Sequence, residues 1–213
     1  MKEIVIIGAG DFGQEVTWLI EEINKGNLAY HILGYLDDDP VKIGQEINGY
    51  QVLGKISDLM TWSRKNSICA VIAMQDGNVR KQIVERFPVF ENWETLIHPS
   101  ANISDTATIG CGCIICSGVS VSLNTSIGEH CLVNVSVAIA HDCVIENYVS
   151  IMPCACICGH AKIRENAYLS ANSTVIPKIK IGVGSKVGAG SVAIQNIKDG
   201  CSVMGVPAKE IRI

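Results

Sequence analysis

The pair best suited to move a proton in this chain is His141 and Asp142, adjacent in Ala140-His141-Asp142-Cys143. A neutral imidazole takes up a proton near physiological pH, and a neighbouring carboxylate holds the ring and raises its basicity. The pair therefore reads as a general base with its partner. A second candidate is Gly8-Ala9-Gly10-Asp11-Phe12-Gly13, a G-x-G-x-x-G that follows the apolar run Ile4-Val5-Ile6-Ile7. It opens a helical pattern at Phe12, Val16, Leu19, Ile20 and Ile23. In that setting loop amides and a helix N-terminus can receive a phosphate. Asp37 and Asp38 end the next strand-like run, where a carboxylate accepts hydrogen bonds from a ribose or a base. Clustered cysteines, as in Cys111-x-Cys113-x-x-Cys116 and Cys154-x-Cys156-x-Cys158, raise the question of a metal.

Two kinds of element must position these groups. From Ile103 to Val187 every sixth residue is aliphatic, 15 positions without an insertion. A period of six fits neither a helix nor a lone strand. It fits short strands joined by tight turns, three to a triangular coil of 18 residues, about five coils stacked ~4.8 Å apart. Neighbouring coils bury what one coil cannot. A β-sandwich would not hold such a beat, because its strands and turns vary in length. The register puts His141 on a turn, with Asn124 and His160 one coil to either side of Asp142. Asn134, on the previous face, is a polar group able to orient a substrate or cofactor. His130 falls on a different face, so three imidazoles would converge on a metal only across subunits. Cys113, Cys131 and Cys143 take the small inward position, where Cys packs as a small hydrophobe. No metal is expected.

Residues 1–97 read as a small Rossmann-like α/β domain and 98–213 as the β-helix, with His98-Pro99-Ser100 at the junction. A helix is expected over Asp58–Lys65 with Ser57 as N-cap, a second over Asn78–Arg86, and a last strand of the first domain over Thr95–Ile97. The first domain is short and lacks a full second half, so it suits one nucleotide better than a dinucleotide. Gly205-Val206-Pro207-Ala208-Lys209 reads as a tail beyond the last coil.

Composition narrows the classes. Of 213 residues, 48% are hydrophobic and 18% charged, and the net charge is −4 with no basic tract. Nucleic-acid binding by phosphate neutralisation has no footprint here. There is no signal-peptide pattern and no apolar run of membrane-spanning length, so the chain reads as cytoplasmic and free of membrane. With a cytoplasmic address, the cysteines are not expected to form a disulfide framework.

The whole chain resembles the hexapeptide-repeat sugar acyltransferases that include sialic acid O-acetyltransferases and UDP-4-amino-sugar N-acetyltransferases. Three stretches carry the likeness: Gly8–Gly13 with Tyr35–Asp38; Asn134 with His141–Ile145; and Gly188-Ala189-Gly190 with Gly205–Lys209. The resemblance implies a left-handed parallel β-helix and a homotrimer with active sites between subunits. It implies acetyl-CoA as cosubstrate in a groove along the β-helix, and a nucleotide sugar held by the N-terminal domain. His141 would be the base and Asp142 its partner. Asn134, Ser150, Gly159, Ala171 and Ala189 would lie toward the cofactor, and Gly8, Gly10, Gly13, Asp37 and Asp38 toward the nucleotide sugar. Ser150 stands where relatives often have a second His, and His160 where Asn is common. Asp11-Phe12-Gly13 stands where they often have a Gly-His pair. The expected reaction is direct attack by the amine of a UDP-4-amino-4,6-dideoxy sugar, serving glycan or surface polysaccharide synthesis. The alternatives are sialic acid O-acetylation, a trimeric metal hydratase, and a scaffold without activity.

Overall fold

The structure is a computed structural model that describes residues 1–65 and 67–211. The first domain has one sheet. β1 (Lys2–Ile7) lies between β2 (Tyr30–Leu36) and β5 (Ile68–Ile72), and β4 (Tyr50–Gly54) extends the sheet beyond β2, all parallel. A short β3 (Glu46–Ile47) adds an antiparallel edge that the apolar pattern did not announce. Near-continuous aliphatic runs in β1 and β5 follow from burial on both faces. Helix α1 (Asp11–Gly26) covers one face through Phe12, Val16, Leu19 and Ile20.

Ser57 does not cap the next helix. A 3-10 turn, Ile56–Asp58, comes first, closed by the Asp58 carboxylate accepting the Lys55 amide at 2.9 Å; α2 (Leu59–Lys65) follows. Helix α3 (Gly77–Arg86) begins one residue earlier than expected, because Asp76 accepts the Asn78 amide at 2.8 Å and serves as its N-cap.

Two-residue strands then recur every six residues and pair in parallel with those 18 residues away, forming three flat sheets. The first carries Ile114–Ile115, Leu132–Val133, Ser150–Ile151, Tyr168–Leu169 and Lys186–Val187. The second carries Ser120–Val121, Ala138–Ile139 and Cys156–Ile157; the third carries Ser126–Ile127, Val144–Ile145 and Lys162–Ile163. The aliphatic of each hexad points inward and is almost completely buried through the middle coils. Cys131 donates its amide to Cys113 Sγ at 3.3 Å, so these thiols stack in adjacent coils. Turn residues between sheets take the left-handed conformation, as at Asn124, Asp142 and His160.

Two boundaries differ from the sequence reading. Leu96–Ile97 leaves the first domain and pairs with Ile114–Ile115, adding a strand to the first sheet. At the other end the six-residue beat lapses after Ala193, yet Ser202–Met204 still pairs with Lys186–Val187 and turns back against Lys209–Ile211. The expected tail is therefore part of the first sheet.

The domains share a core, in which Ile4, Leu19 and Val71 pack with Leu96, Leu132 and Met152. Arg80, on α3, is 1% exposed and acts as a staple. Its guanidinium donates to the carbonyls of His130, Met74, Gln75, Tyr148 and Val149 at 2.8–3.1 Å, and to Ser150 Oγ at 3.1 Å.

Candidate active site

His141 and Asp142 occupy the vertex between the second and third sheets. His141 Nδ1 lies 2.7 Å from Asp142 Oδ2, and Asn124 Nδ2 donates to Asp142 Oδ1 at 3.2 Å. The hydrogen bond from His141, then that from Asn124, holds the Asp142 carboxyl below the usual carboxylate range, so it is ionised at neutral pH. An ionised acceptor at Nδ1 makes Nδ1 the donor and leaves Nε2 free to take a proton. His160, one coil on, meets His141 edge to face at 5.1 Å between ring centroids and brings Nε2 to 3.9 Å from Asp142 Oδ2. The three side chains are 54%, 38% and 52% exposed, which leaves the imidazoles open to a reactant.

These residues also bring three possible ligand atoms within 4.8 Å of one another. His130 is buried at the domain junction, stacked on Tyr148 at 5.5 Å and edge-on to Trp93 at 5.4 Å. Within the chain it therefore does not join His141 and His160.

The first sheet, opposite the His141 vertex, carries a cavity of about 440 Å³. Its walls are the segment Gln75–Asn78 and the outward column Ser150, Tyr168, Lys186 and Ser202, with Gly188 and Ala189 at the rim. Of the residues placed toward the cofactor by resemblance, Ala189 and Ser150 are here. Ser150 has no accessible surface, and its hydroxyl donates to the Gln75 carbonyl at 2.6 Å. It is tied into the domain junction. Ala171 packs beside Tyr168 and Met152. Gly159 is not at this cavity: it lies under the His141 ring, where an added Cβ would stand 2.8 Å from Cε1 and Nε2.

A second cavity of about 280 Å³ separates α1 from the turn between the first and second sheets. It is lined by Glu15, Trp18, Gln75, Asn134 and Met152. Asn134 is 4% exposed and its Oδ1 accepts the Val135 amide at 2.7 Å. Gln75 touches both cavities.

The glycines of the first loop divide their work. Gly8 has φ +107°, and a Cβ on it would stand 2.8 Å from Met74 Cε. A Cβ on Gly13 would collide with the Gly8 carbonyl, so this glycine sets the helix-to-strand approach. Gly10 faces open space and caps α1 with no side-chain bond, which leaves first-turn amides for a ligand. Asp37 is buried, and its carboxylate accepts the amides of Ala9 at 2.8 Å and Asp39 at 2.9 Å. Burial works against the Asp37 carboxylate, but those amides and Lys42 outweigh it and hold its pKa low. Asp37 thus locks the glycine loop to the end of β2. Asp38 is half-exposed, accepts the Ile56 amide at 3.0 Å and pairs with Arg86 at 3.2 Å. Arg80, Gln75 and Asp76 were not singled out from sequence. The trace of Gln75 and Asp76 is a polar run, Gln75-Asp76-Gly77-Asn78, after a buried strand; Arg80 leaves none.

Comparison with known proteins gives a consistent picture. Residues 3–87 match the PglD N-terminal domain family. The GDP-perosamine N-acetyltransferase of Escherichia coli O157:H7 is 31% identical over 215 residues, covering 97% of this chain and 95% of that protein. The structure superposes on a histidine-to-alanine variant of the GDP-perosamine N-acetyltransferase from Caulobacter crescentus, solved with CoA and GDP-perosamine. The TM-score is 0.91 at 25% identity, covering 100% of this chain and 98% of that one. It also superposes on the acetyltransferase domain of PglB from Neisseria gonorrhoeae FA1090 with acetyl coenzyme A, at TM-score 0.89, 29% identity and 99% coverage of both chains. The coil is accordingly the left-handed hexapeptide β-helix.

Proposed function

From the premise that this chain belongs to the hexapeptide-repeat sugar acyltransferases, we propose that its acceptor is the amine of a nucleotide-linked amino sugar, acetylated with His141 as base. The enzyme is an acetyl-CoA-dependent sugar N-acetyltransferase. The observation that carries the base assignment is the fixed Asp142–His141 bond, which leaves Nε2 as proton acceptor on an open vertex. His141 takes the proton of the attacking nitrogen as the new C–N bond forms, and Asp142 stabilises the imidazolium. The thioester C–S bond breaks so that CoA leaves as a thiolate, to which the imidazolium can return the proton. General-base help of this kind is worth ~10²–10⁴ in rate. The thioester supplies the acetyl group. The groove beside Gly188 and Ala189 suits its pantetheine arm, since small residues there let a chain pass close to backbone. The Gly8–Gly13 loop and the free amides at the start of α1 suit the diphosphate of the nucleotide.

His141 belongs to one vertex of the triangular coil and the larger cavity to the opposite face. Six residues per face at ~3.3 Å each put them ~15–20 Å apart in one chain. We infer that a second copy supplies His141 to each cavity, in a trimer. Leu123 and Val144, exposed beside the vertex, would be covered in that contact.

The deciding experiment is CoA release from acetyl-CoA with GDP- and UDP-linked 4-amino sugars and, separately, with free sialic acid. Release with a nucleotide amino sugar is expected, and comparing the GDP- and UDP-linked acceptors identifies the preferred nucleotide. Release only with sialic acid would overturn the N-acetyl assignment.

A further inference from the structure

We propose that Asn124 and Gly159 are positioning residues for His141: Asn124 fixes the carboxylate that the imidazole bonds, and Gly159 makes the space in which the ring lies. The inference rests on His141 being the base.

Asn124 and Asp142 are turn residues one coil apart, at φ 56° and 57°. The shared left-handed conformation repeats the same turn coil after coil, so equivalent side chains stack and meet. Asn124 Nδ2 donates to Asp142 Oδ1, while Asp142 Oδ2 bonds His141 Nδ1. A carboxylate held by one oxygen can swing about its terminal torsion, which is broad. Bonded through both oxygens to different partners, its plane is set. Asn124 is itself anchored from the coil below, where its backbone N–H donates to Thr106 Oγ1 at 2.9 Å. A relay of hydrogen bonds thus runs from Thr106 through Asn124 and Asp142 to the base, and each member sits on rigid β-helix backbone.

Gly159 constrains the ring from the coil above. Its backbone is outside the left-handed region, so conformation does not call for glycine there. Its environment does: a Cβ would stand 2.8 Å from both Cε1 and Nε2 of His141. Relief to ordinary contact would move the ring by ~0.6–0.8 Å, and displacements approaching 1 Å at a reacting atom can cost up to ~10²-fold. The resemblance places this small residue toward the cofactor path; the contact adds the base to its neighbours.

The test is a mutant cycle on the full chain with acetyl-CoA and the acceptor that supports CoA release. Asn124→Gly keeps a residue that tolerates the left-handed turn and removes the side chain with its Nδ2 donor; Gly159→Ala adds only the Cβ. Each is expected to lower kcat at least about fivefold, part of the base's own contribution. KM for acetyl-CoA should stay within twofold. Each change is then combined with His141→Ala, and neither should lower the residual rate further, since both act through the imidazole. Wild-type kcat in both single variants would overturn the proposal. So would a loss that recurs in full on top of His141→Ala. Because Asn124 lies on an exposed turn, Asn124→Gly tests the idea even if Gly159→Ala misfolds. Failure of the base assignment is separable: it would appear as wild-type turnover in His141→Ala alone.

Discussion

At the scale of single residues the structure separates groups by what they touch. His141→Ala should leave the fold intact, because the side chain is half-exposed on a turn, and lower turnover by at least ~10². Steady-state kinetics beside a melting curve checks both halves. Asp142→Asn keeps the shape but removes the charge that stabilises the imidazolium, so kcat should fall with little change in either KM. His130 makes a different prediction, about stability. Burial first, and the nearby Arg80 charge second, push its pKa down from 6.5 to about 4. Between those values the unfolded chain binds a proton that the folded chain refuses. The stability tied to neutral His130 is therefore complete above pH 6.5 and is lost as pH falls toward 4, by up to ~3 kcal/mol. Denaturant titrations at pH 7 and 4.5 should show that loss, and His130→Gln should reduce it.

At the scale of elements, α3 decides how the two domains meet. Its first residue, Gly77, has no room for a side chain: a Cβ would collide with the Tyr148 carbonyl and Asn166 Oδ1. Gly77→Ala should lift the start of α3 from the first sheet and raise KM for acetyl-CoA, because Gln75–Asn78 is a wall of the larger cavity. Arg80 is held by carbonyls from both domains, with a hydroxyl but no carboxylate among its hydrogen-bond acceptors in the described residues. Removing it leaves several buried carbonyls unpaired. Arg80→Ala should lower stability in a chemical denaturation experiment by ~1–3 kcal/mol for each carbonyl left buried and unpaired. Smaller than these is the Lys81–Glu165 ion pair at 2.7 Å, which solvent screens at the surface.

At the scale of the whole molecule the question is assembly. Sedimentation equilibrium should give three times the 22.9 kDa chain mass. If each site takes His141 from one copy and the cavity from another, two inactive variants should rescue each other. Mixed trimers of His141→Ala and Ala189→Trp are expected to recover part of the activity, and mixtures refolded together but still inactive would place both halves in one chain. Among the described residues no helix is long and apolar enough to cross a membrane.

The sequence by itself determined the β-helix, because a six-residue beat over 15 aliphatic positions leaves little else that buries them. It also determined the G-x-G-x-x-G context, and the stacking of Asn124, Asp142 and His160, since coil geometry turns a spacing of 18 into a contact. What it did not determine was every contact made between elements of unlike geometry. Arg80 looks like any helix-surface arginine until α3 is laid on the first sheet. Asp37 gives no sign in the sequence that its carboxylate also ties the glycine loop to the end of β2. Ser150 looks exposed on an outer strand position until Gln75 covers it. Leu96–Ile97 fits either domain by pattern and is claimed by the one whose open edge it can pair. Periodicity reports neighbours within a repeat, whereas domain docking depends on side-chain reach and unpaired backbone groups, which appear only once the chain is folded.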